Sequence, residues 1–301
     1  MPKPLRVGTR GSDLALWQAR RVAEALAAKL GVASELVVIH TTGDWDRSRA
    51  LYDVGGSGLF TKELQAALLR HEVDLVVHSL KDLPTQQPAG LALGAVCFRE
   101  DPSELLLARH EAVGVGPLGL RPGAVLGTSS LRRRAQSLAC QRDLQVRPLR
   151  GNVPTRLRKL REGEYDAILL AFAGIHRLGL DTSDLVARKL PLELMLPAPG
   201  QGALGVEVRA DDHATRQLVA ELHDPSLAAE VEAERLVLVG LGGGCHIPLG
   251  AYCTKQDGQF VLRAALGHLD ESFGLLRLRR AEAQGPLPSQ AAQKVLEQLT
   301  A

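Results

Sequence analysis

Val73-Asp74-Leu75-Val76-Val77-His78-Ser79-Leu80-Lys81-Asp82-Leu83-Pro84 is a short, valine-rich apolar run that breaks off abruptly into polar groups. A run of this length, preceded by the helical pattern Lys62 to His71, predicts a parallel strand covered on both faces. Its C-terminal end then opens into the crevice where open α/β sheets bind ligands. There Ser79 offers a hydroxyl, Lys81 a point charge for an anion, and Asp82 a carboxylate able to hold a cation or move protons. The plainer alternative is a strand end with a solvated Lys81-Asp82 pair and a turn at Pro84. The segment by itself leaves both open.

Working outward, Arg6 to Thr9 predicts a first strand, followed by the turn Arg10-Gly11-Ser12, a helix from about Asp13 to Leu30, and a second strand from Glu35 to His40. Residues Thr41 to Gly58 are Gly-rich and too long for a minimal connection, which predicts a mobile or functional loop such as a lid. Further on, Ala124 to Gly127, Thr128-Ser129-Ser130 and the helical pattern Leu131 to Gln141 repeat the strand, hydroxyl-rich turn and helix of Val7 to Gln18. Two similar α/β lobes follow from that repetition, each presenting a helix N-terminus to a shared cleft. Free backbone N–H groups and the helix dipole make such ends attractive to anions. Ser12, Ser129 and Ser130 serve equally well as plain N-caps.

Leu144 to Leu149, a helix near Val153 to Glu162 and the strand Asp166 to Ala171 complete the second lobe. Arg99-Glu100-Asp101-Pro102 reads as a crossing between lobes, and Pro197-Ala198-Pro199-Gly200 as a stiff then flexible hinge. Near the end, the strands Leu249 to Thr254, Phe260 to Gly267 and Phe273 to Arg280, with Asp257-Gly258 at one turn, mark a small antiparallel sheet closed by a helix from Ser289 to Leu299. The last part therefore reads as a separate, smaller α+β domain.

Composition agrees with a multidomain globular chain. Its 301 residues exceed what one core usually organises, and 45% apolar, 23% charged and a net charge of +2 exclude disorder. Aromatic residues are only 3%, so aliphatic packing fills the cores. Met1-Pro2-Lys3-Pro4-Leu5-Arg6 carries no signal-like apolar run, and the longest apolar stretch, Ala167 to Ile175, falls short of the roughly 18 residues that span a bilayer. A soluble, cytoplasmic protein is expected. The four cysteines, Cys97, Cys140, Cys245 and Cys253, form no Cys-x-x-Cys pair, which argues against a zinc site and a disulfide framework. Cys97, Cys140 and Cys253 lie in apolar patterns and read as core. Cys245 differs, lying between Gly242-Gly243-Gly244 and His246-Ile247-Pro248, where backbone can approach a ligand and one thiol can do covalent chemistry. A thiol protease, with a His and an orienting Asn or Asp, stays open on these grounds.

Between Arg132 and Arg161 stand Arg132, Arg133, Arg134, Arg142, Arg147, Arg150, Arg156, Arg158, Lys159 and Arg161, with Asp143 as the lone acid. In a nearly neutral chain this is a local field aimed at an anionic partner. Nucleic acid is one reading, but the cluster holds no aromatic residue for base stacking. Arginine forks also suit carboxylates, so a small polycarboxylate is the competing reading. Arg134, Arg142, Arg158, Lys159 and Arg161 are assigned to solvated helix faces.

Seven stretches, in order and at matching spacing, together resemble one family. They are Thr9-Arg10-Gly11-Ser12 with Leu14-Ala15, Gly58-Leu59-Phe60-Thr61-Lys62-Glu63-Leu64, His78 to Pro84, Gly127-Thr128-Ser129-Ser130-Leu131-Arg132-Arg133, Leu149-Arg150-Gly151-Asn152, Pro199-Gly200-Gln201-Gly202-Ala203 and Gly243-Gly244-Cys245. The set is similar to the porphobilinogen deaminases, also called hydroxymethylbilane synthases, from about Arg6 to Pro248. That resemblance implies an α/β chain with two lobes of the type II periplasmic-binding kind, 1–99 with 198–220 and 103–194, plus a small C-terminal α+β domain with an antiparallel sheet at 222–301. It also implies a dipyrromethane cofactor held by a thioether on Cys245, a transferase that joins porphobilinogen units with loss of ammonia, and hydrolytic release of hydroxymethylbilane for the haem and other tetrapyrrole pathways.

On the same resemblance, Asp82 is the catalytic carboxylate, stabilising an azafulvene-type cation. Arg10, Ser12, Ser79, Lys81, Thr128, Ser129, Ser130, Arg132, Arg133, Arg150, Arg156, Arg177 and Gln201 bind the carboxylates of cofactor and growing polypyrrole chain. A monomer without metal, nucleic-acid or membrane partner is implied. A non-catalytic two-lobed anion-binding protein is the alternative. The chain departs from the family's pattern at Asp53 and Ser57, where some relatives place Lys, at Gly242, usually Glu, and at His176, often Lys.

Overall fold

The computed structural model describes residues 3–40, 61–244 and 246–301. The Gly-rich stretch 41–58, with Asp53 and Ser57, and the candidate thiol Cys245 lie outside the described residues. In chain order the elements begin with β1 (Leu5–Thr9), α1 (Asp13–Leu30), β2 (Ser34–Val38), α2 (Lys62–Leu69), β3 (Leu75–Ser79), β4 (Leu91–Cys97) and β5 (Glu104–Ala108). They continue with β6 (Val125–Gly127), α3 (Leu131–Cys140), β7 (Gln145–Arg147), α4 (Val153–Arg161), β8 (Ala167–Ala171), α5 (Phe172–Leu178) and β9 (Val186–Leu190). Last come β10 (Leu204–Arg209), α6 (His213–Ala220), α7 (Pro225–Gly240), β11 (Leu249–Gln256), β12 (Gln259–Leu269), β13 (Leu275–Gly285) and α8 (Pro288–Thr300). By contact, the described residues divide into one compact unit of 3–40, 61–100 and 201–229 and a second of 101–200, 230–244 and 246–301.

The first unit is built on a five-stranded sheet in the order β2-β1-β3-β10-β4. Strand β1 is parallel to β2 and β3, while β10 is antiparallel to β3 and β4. The opening stretch is thus parallel to one neighbour only: Val77 pairs with Val206 of β10, which returns from much later in the chain and enters in the opposite direction. Its apolar run is continuous because the two faces alternate into different cores. Leu75 and Val77 join Val7, Val22 and Leu26 of β1 and α1, whereas Val76 and the preceding Val73 join Leu64 and Leu68 of α2. Burial of each such side chain stabilises by about 1.5–3 kcal/mol. Helix α1 starts where Ser12 accepts a hydrogen bond from Ala15 N, with Asp13 facing the dipole, and stops where Gly31 turns left-handed at φ +67°.

The sheet of the second unit repeats this plan in the order β7-β6-β8-β5-β9, with β6 parallel to β7 and β8 and β5 antiparallel to β8 and β9. Here too alternation feeds two cores, Ala167 and Leu169 on one side of β8 and Ile168 and Leu170 on the other. Two lobes with the same sheet plan, as the sequence predicts, therefore carry helices α1 and α3 that start beyond the C-terminal ends of β1 and β6.

The same unit holds the antiparallel sheet β11-β12-β13, backed by α8. The turn between β11 and β12 passes through Asp257 and Gly258 at φ +49° and +77°, the left-handed pair a type I′ hairpin demands. The next turn differs from the sequence expectation: Phe273, read as the start of a strand, sits in it at φ +61°, and β13 runs on to Gly285. Asp270 Oδ1 closes that turn by accepting hydrogen bonds from Ser272 N and Gly274 N, both at 2.8 Å. Helix α3 packs on β12 and β13. Arg134 corrects the helix-face assignment: half-buried, it donates from Nε to Phe273 O at 2.6 Å and from Nη1 to Val146 O at 3.0 Å, tying the C-terminal turn to the lobe. Cys97 and Cys253 are buried as expected, while Cys140 is only half-buried.

Candidate functional site

In the first unit, the C-terminal end of β3 runs into a single 3₁₀ turn, Leu80–Asp82, so the strand's polar residues project from a rigid edge. Leu80 anchors the turn, with its side chain fully buried and its N–H donating to Ala203 O at 3.0 Å. Ser79 Oγ accepts from Gln18 Nε2 at 2.7 Å, which fixes the hydroxyl against α1. Lys81 Nζ donates to the fully buried Gln201 Oε1 at 3.1 Å. Asp82 is exposed, and its carboxylate makes no hydrogen bond or ion pair among the described residues. The loop that supplies Gln201 depends on Gly202, at φ +87°, where a Cβ would run into Glu100 O and the backbone instead accepts from Glu100 N at 3.0 Å. Arg10 and Ser12 stand half-buried at the start of α1, after Thr9 Oγ1 has donated to Ala15 O at 3.0 Å.

Beneath this edge lies a buried polar group that sequence reading missed. Glu207, in β10, is fully buried; its Oε1 accepts from Gln65 Nε2 at 2.9 Å and its Oε2 lies 3.1 Å from His78 Nε2. The signal was present as an acid inside the apolar strand Leu204 to Arg209, one sheet position from the opening stretch.

The second unit brings two helix starts together. Ser130 caps α3 by accepting from Arg133 N at 3.3 Å, and Asn152 caps α4 by accepting from Thr155 N at 2.9 Å. Ser129 joins them: its Oγ donates to Leu149 O at 2.9 Å and accepts from Leu149 N at 3.0 Å. Thr128 Oγ1 accepts from Ser130 N, and Arg156 Nε donates to Gly151 O at 2.8 Å. Arg150 and Arg156 are half-buried, and Arg177 in α5 is buried. The first-turn arginines are not solvated forks. Arg132 and Arg133 are both buried, and their guanidiniums converge on the fully buried Glu104. Burial pushes the Arg132 pKa down, with Glu104 opposing the shift and Arg133 adding to it. Glu104 escaped sequence reading because an acid heading the run Leu105-Leu106-Leu107 looks like an ordinary strand start.

Of the remaining basic cluster, Arg158 pairs with Glu162, Lys159 with Glu164 and Arg161 with Asp184, as surface residues do. Among the described residues no group of three or more His, Cys, Asp or Glu side chains is placed to hold a metal ion, and no helix is long and apolar enough to cross a membrane. At the two joined helix starts of the second unit stand hydroxyls, helix N-terminal amides and the Arg156 guanidinium, a set suited to carboxylates.

Comparison with known proteins agrees with that chemistry. The family model described as porphobilinogen deaminase, dipyromethane cofactor binding domain, matches residues 5–217, and that described as porphobilinogen deaminase, C-terminal domain, matches residues 228–300. A protein of Desulforudis audaxviator (strain MP104C) named porphobilinogen deaminase is 49% identical over 287 residues, covering 95% of this chain and 90% of its own. Among solved structures, a periplasmic substrate-binding protein of an ABC transporter from Coxiella burnetii overlaps 75% of this chain and 96% of its own at 16% identity and a TM-score of 0.46. An arginine-specific periplasmic binding protein of Salmonella typhimurium overlaps 75% and 94% at 14% identity and a TM-score of 0.44. At those scores the two carry no argument, and the lobe plan rests on the strand orders above. With both family models matched in order along nearly the whole chain, the chain belongs to the porphobilinogen deaminase family.

Proposed function

We propose that the chain is a porphobilinogen deaminase, a transferase that joins four porphobilinogen molecules head to tail with loss of ammonia and releases hydroxymethylbilane by hydrolysis for tetrapyrrole biosynthesis. The observation that carries this reading, beside family membership, is Asp82: an exposed carboxylate on a braced 3₁₀ turn whose neighbouring lysine is already held by Gln201. Departure of ammonia leaves positive charge on the substrate pyrrole. A carboxylate fixed in advance stabilises that charge as it develops and moves the proton released on coupling.

The residues present fit a polycarboxylate pyrrole chain. Arg10, Ser12, Ser79, Lys81 and Gln201 in one unit, and Thr128, Ser129, Ser130, Arg132, Arg133, Arg150, Arg156 and Arg177 in the other, are our assigned binders of acetate and propionate groups. Dipyrromethane, when bound, supplies a covalent primer for the first addition, and Cys245 is our assigned point of attachment by thioether. We assign the catalytic-aspartate lobe to 1–99 with 198–220, the Arg-rich lobe to 103–194 and the cofactor-attachment domain to 222–301. The protein is taken to work as a cytoplasmic monomer. Nucleic acid is disfavoured as a partner because Arg134, Arg158, Lys159 and Arg161 are engaged within the protein and the cluster has no aromatic side chain.

Intact mass of the purified protein tests the reading. Two linked pyrroles should add to the mass of the bare chain, and Cys245→Ala should abolish the addition. A bare-chain mass with no consumption of porphobilinogen leaves a non-catalytic anion-binding protein.

A further inference from the structure

Glu104 opens β5 and is fully buried, a costly place for a carboxylate unless cations and hydrogen bonds meet it. Arg132 Nη2 lies 2.7 Å from Oε1, and Arg133 Nε lies 2.8 Å from Oε2. Each guanidinium is held at a second point by backbone, Arg132 Nη1 on Leu196 O at 2.9 Å and Arg133 Nη1 on Leu169 O at 3.0 Å. Both side chains are therefore fixed before any ligand arrives. Arg133 Nη2 has no hydrogen-bond partner among the described residues.

Charge points the same way. Among the described residues, two guanidiniums share one carboxylate, so one positive charge is left over in the first turn of α3, where the helix dipole adds to it. Without the carboxylate the two cations would repel each other in poorly solvated surroundings and turn away or draw in water. A second carboxylate would cancel the field instead. One acid keeps both arginines in place and leaves attraction for an anion.

We propose that Glu104 is a positioning residue for carboxylate recognition in this lobe, holding Arg132 and Arg133 in the arrangement in which their remaining donors meet an acetate or propionate of a bound pyrrole. It acts through the arginines and not by contact. The inference rests on the porphobilinogen deaminase reading above.

The test uses full-length, cofactor-free protein as wild type, Glu104→Gln and Glu104→Asp. Each is incubated with porphobilinogen, the fraction of chains gaining the mass of two linked pyrroles is read by intact mass, and KM and kcat are measured per loaded chain. Thermal midpoints and near-ultraviolet circular dichroism report folding. Glu104→Gln is expected to load to about a tenth of the wild-type fraction and to raise KM about tenfold, the loss of one charge-assisted contact, while kcat per loaded chain stays within about twofold. Glu104→Asp, which keeps the charge on a shorter arm, should fall between, with KM raised about threefold. A purely structural role would lower the thermal midpoint and leave loading and KM at wild-type values, and that result overturns the proposal. If Glu104→Gln does not fold, Glu104→Asp decides alone, with wild-type loading and KM counting against us. Wild-type protein that gains no mass refutes the porphobilinogen reading itself, a separate outcome.

Discussion

Lys81 Nζ donates to Gln201 Oε1 at 3.1 Å, across from the next residue in the chain, Asp82, whose carboxylate has no partner among the described residues. The lysine is thus steadied by the loop before β10, and the exposed aspartate carries the catalytic role proposed for it above. Asp82→Asn should retain the covalent pyrrole mass but lose about 100- to 1,000-fold in kcat, the scale for removing one fixed group that stabilises developing charge. Turnover within a few-fold of wild type would rule out the role given to Asp82.

Much of this was legible in the sequence because the signals were local. Strand, hydroxyl turn and helix recur at Val7 and Ala124, and the apolar run before Ser79 ends where the polar groups stand. What could not be read depended on pairing between distant segments. Nothing near Val77 says that its partner is Val206, running the other way. Nothing near Arg132 and Arg133 says that Glu104 lies under them, so side chains that look like open forks prove to be braced from behind. Arg134 looked solvated because its acceptor, Phe273 O, lies 139 positions on.

Gly267 gives a packing prediction. A Cβ there would lie well inside van der Waals contact with Ala135 of α3, and its φ is not left-handed, so space alone demands glycine. Gly267→Ala should cost about 1–3 kcal/mol, the usual penalty of overpacking. Ala135→Gly in the same chain should return part of that loss. Urea midpoints of the single and double variants would show it, and strictly additive losses would mean that this contact is not the cause.

Glu207 should be among the least replaceable acids of the first lobe. Glu207→Ala leaves Gln65 and His78 buried without their shared acceptor and should destabilise by about 3–5 kcal/mol, whereas Glu207→Gln retains an acceptor and should cost less. Because His78 immediately precedes Ser79, the alanine variant should also raise KM. A loss below about 1 kcal/mol in urea would show that the buried group is dispensable.

Asp74 sets an acid limit. Burial acts to raise its pKa but is outweighed by the hydrogen bonds and charge of Arg6, with Arg209 adding, so the carboxyl sits below the usual aspartate range. Arg6 Nη2 lies 2.7 Å from Oδ1 and Arg6 N donates to Oδ2 at 2.9 Å. For a depressed pKa, the contribution to stability is fully present above the unfolded value near ~3.9 and is lost as pH falls through the lower folded value. Asp74→Asn should therefore be less stable than wild type at pH 7 and lose less on acidification below about pH 4. Asp101 and Asp212, also held below their ordinary range, should preserve part of the slope. Urea midpoints at neutral pH and at about pH 3 provide the comparison, and an acid loss in Asp74→Asn as large as that of wild type would remove Asp74 from the account.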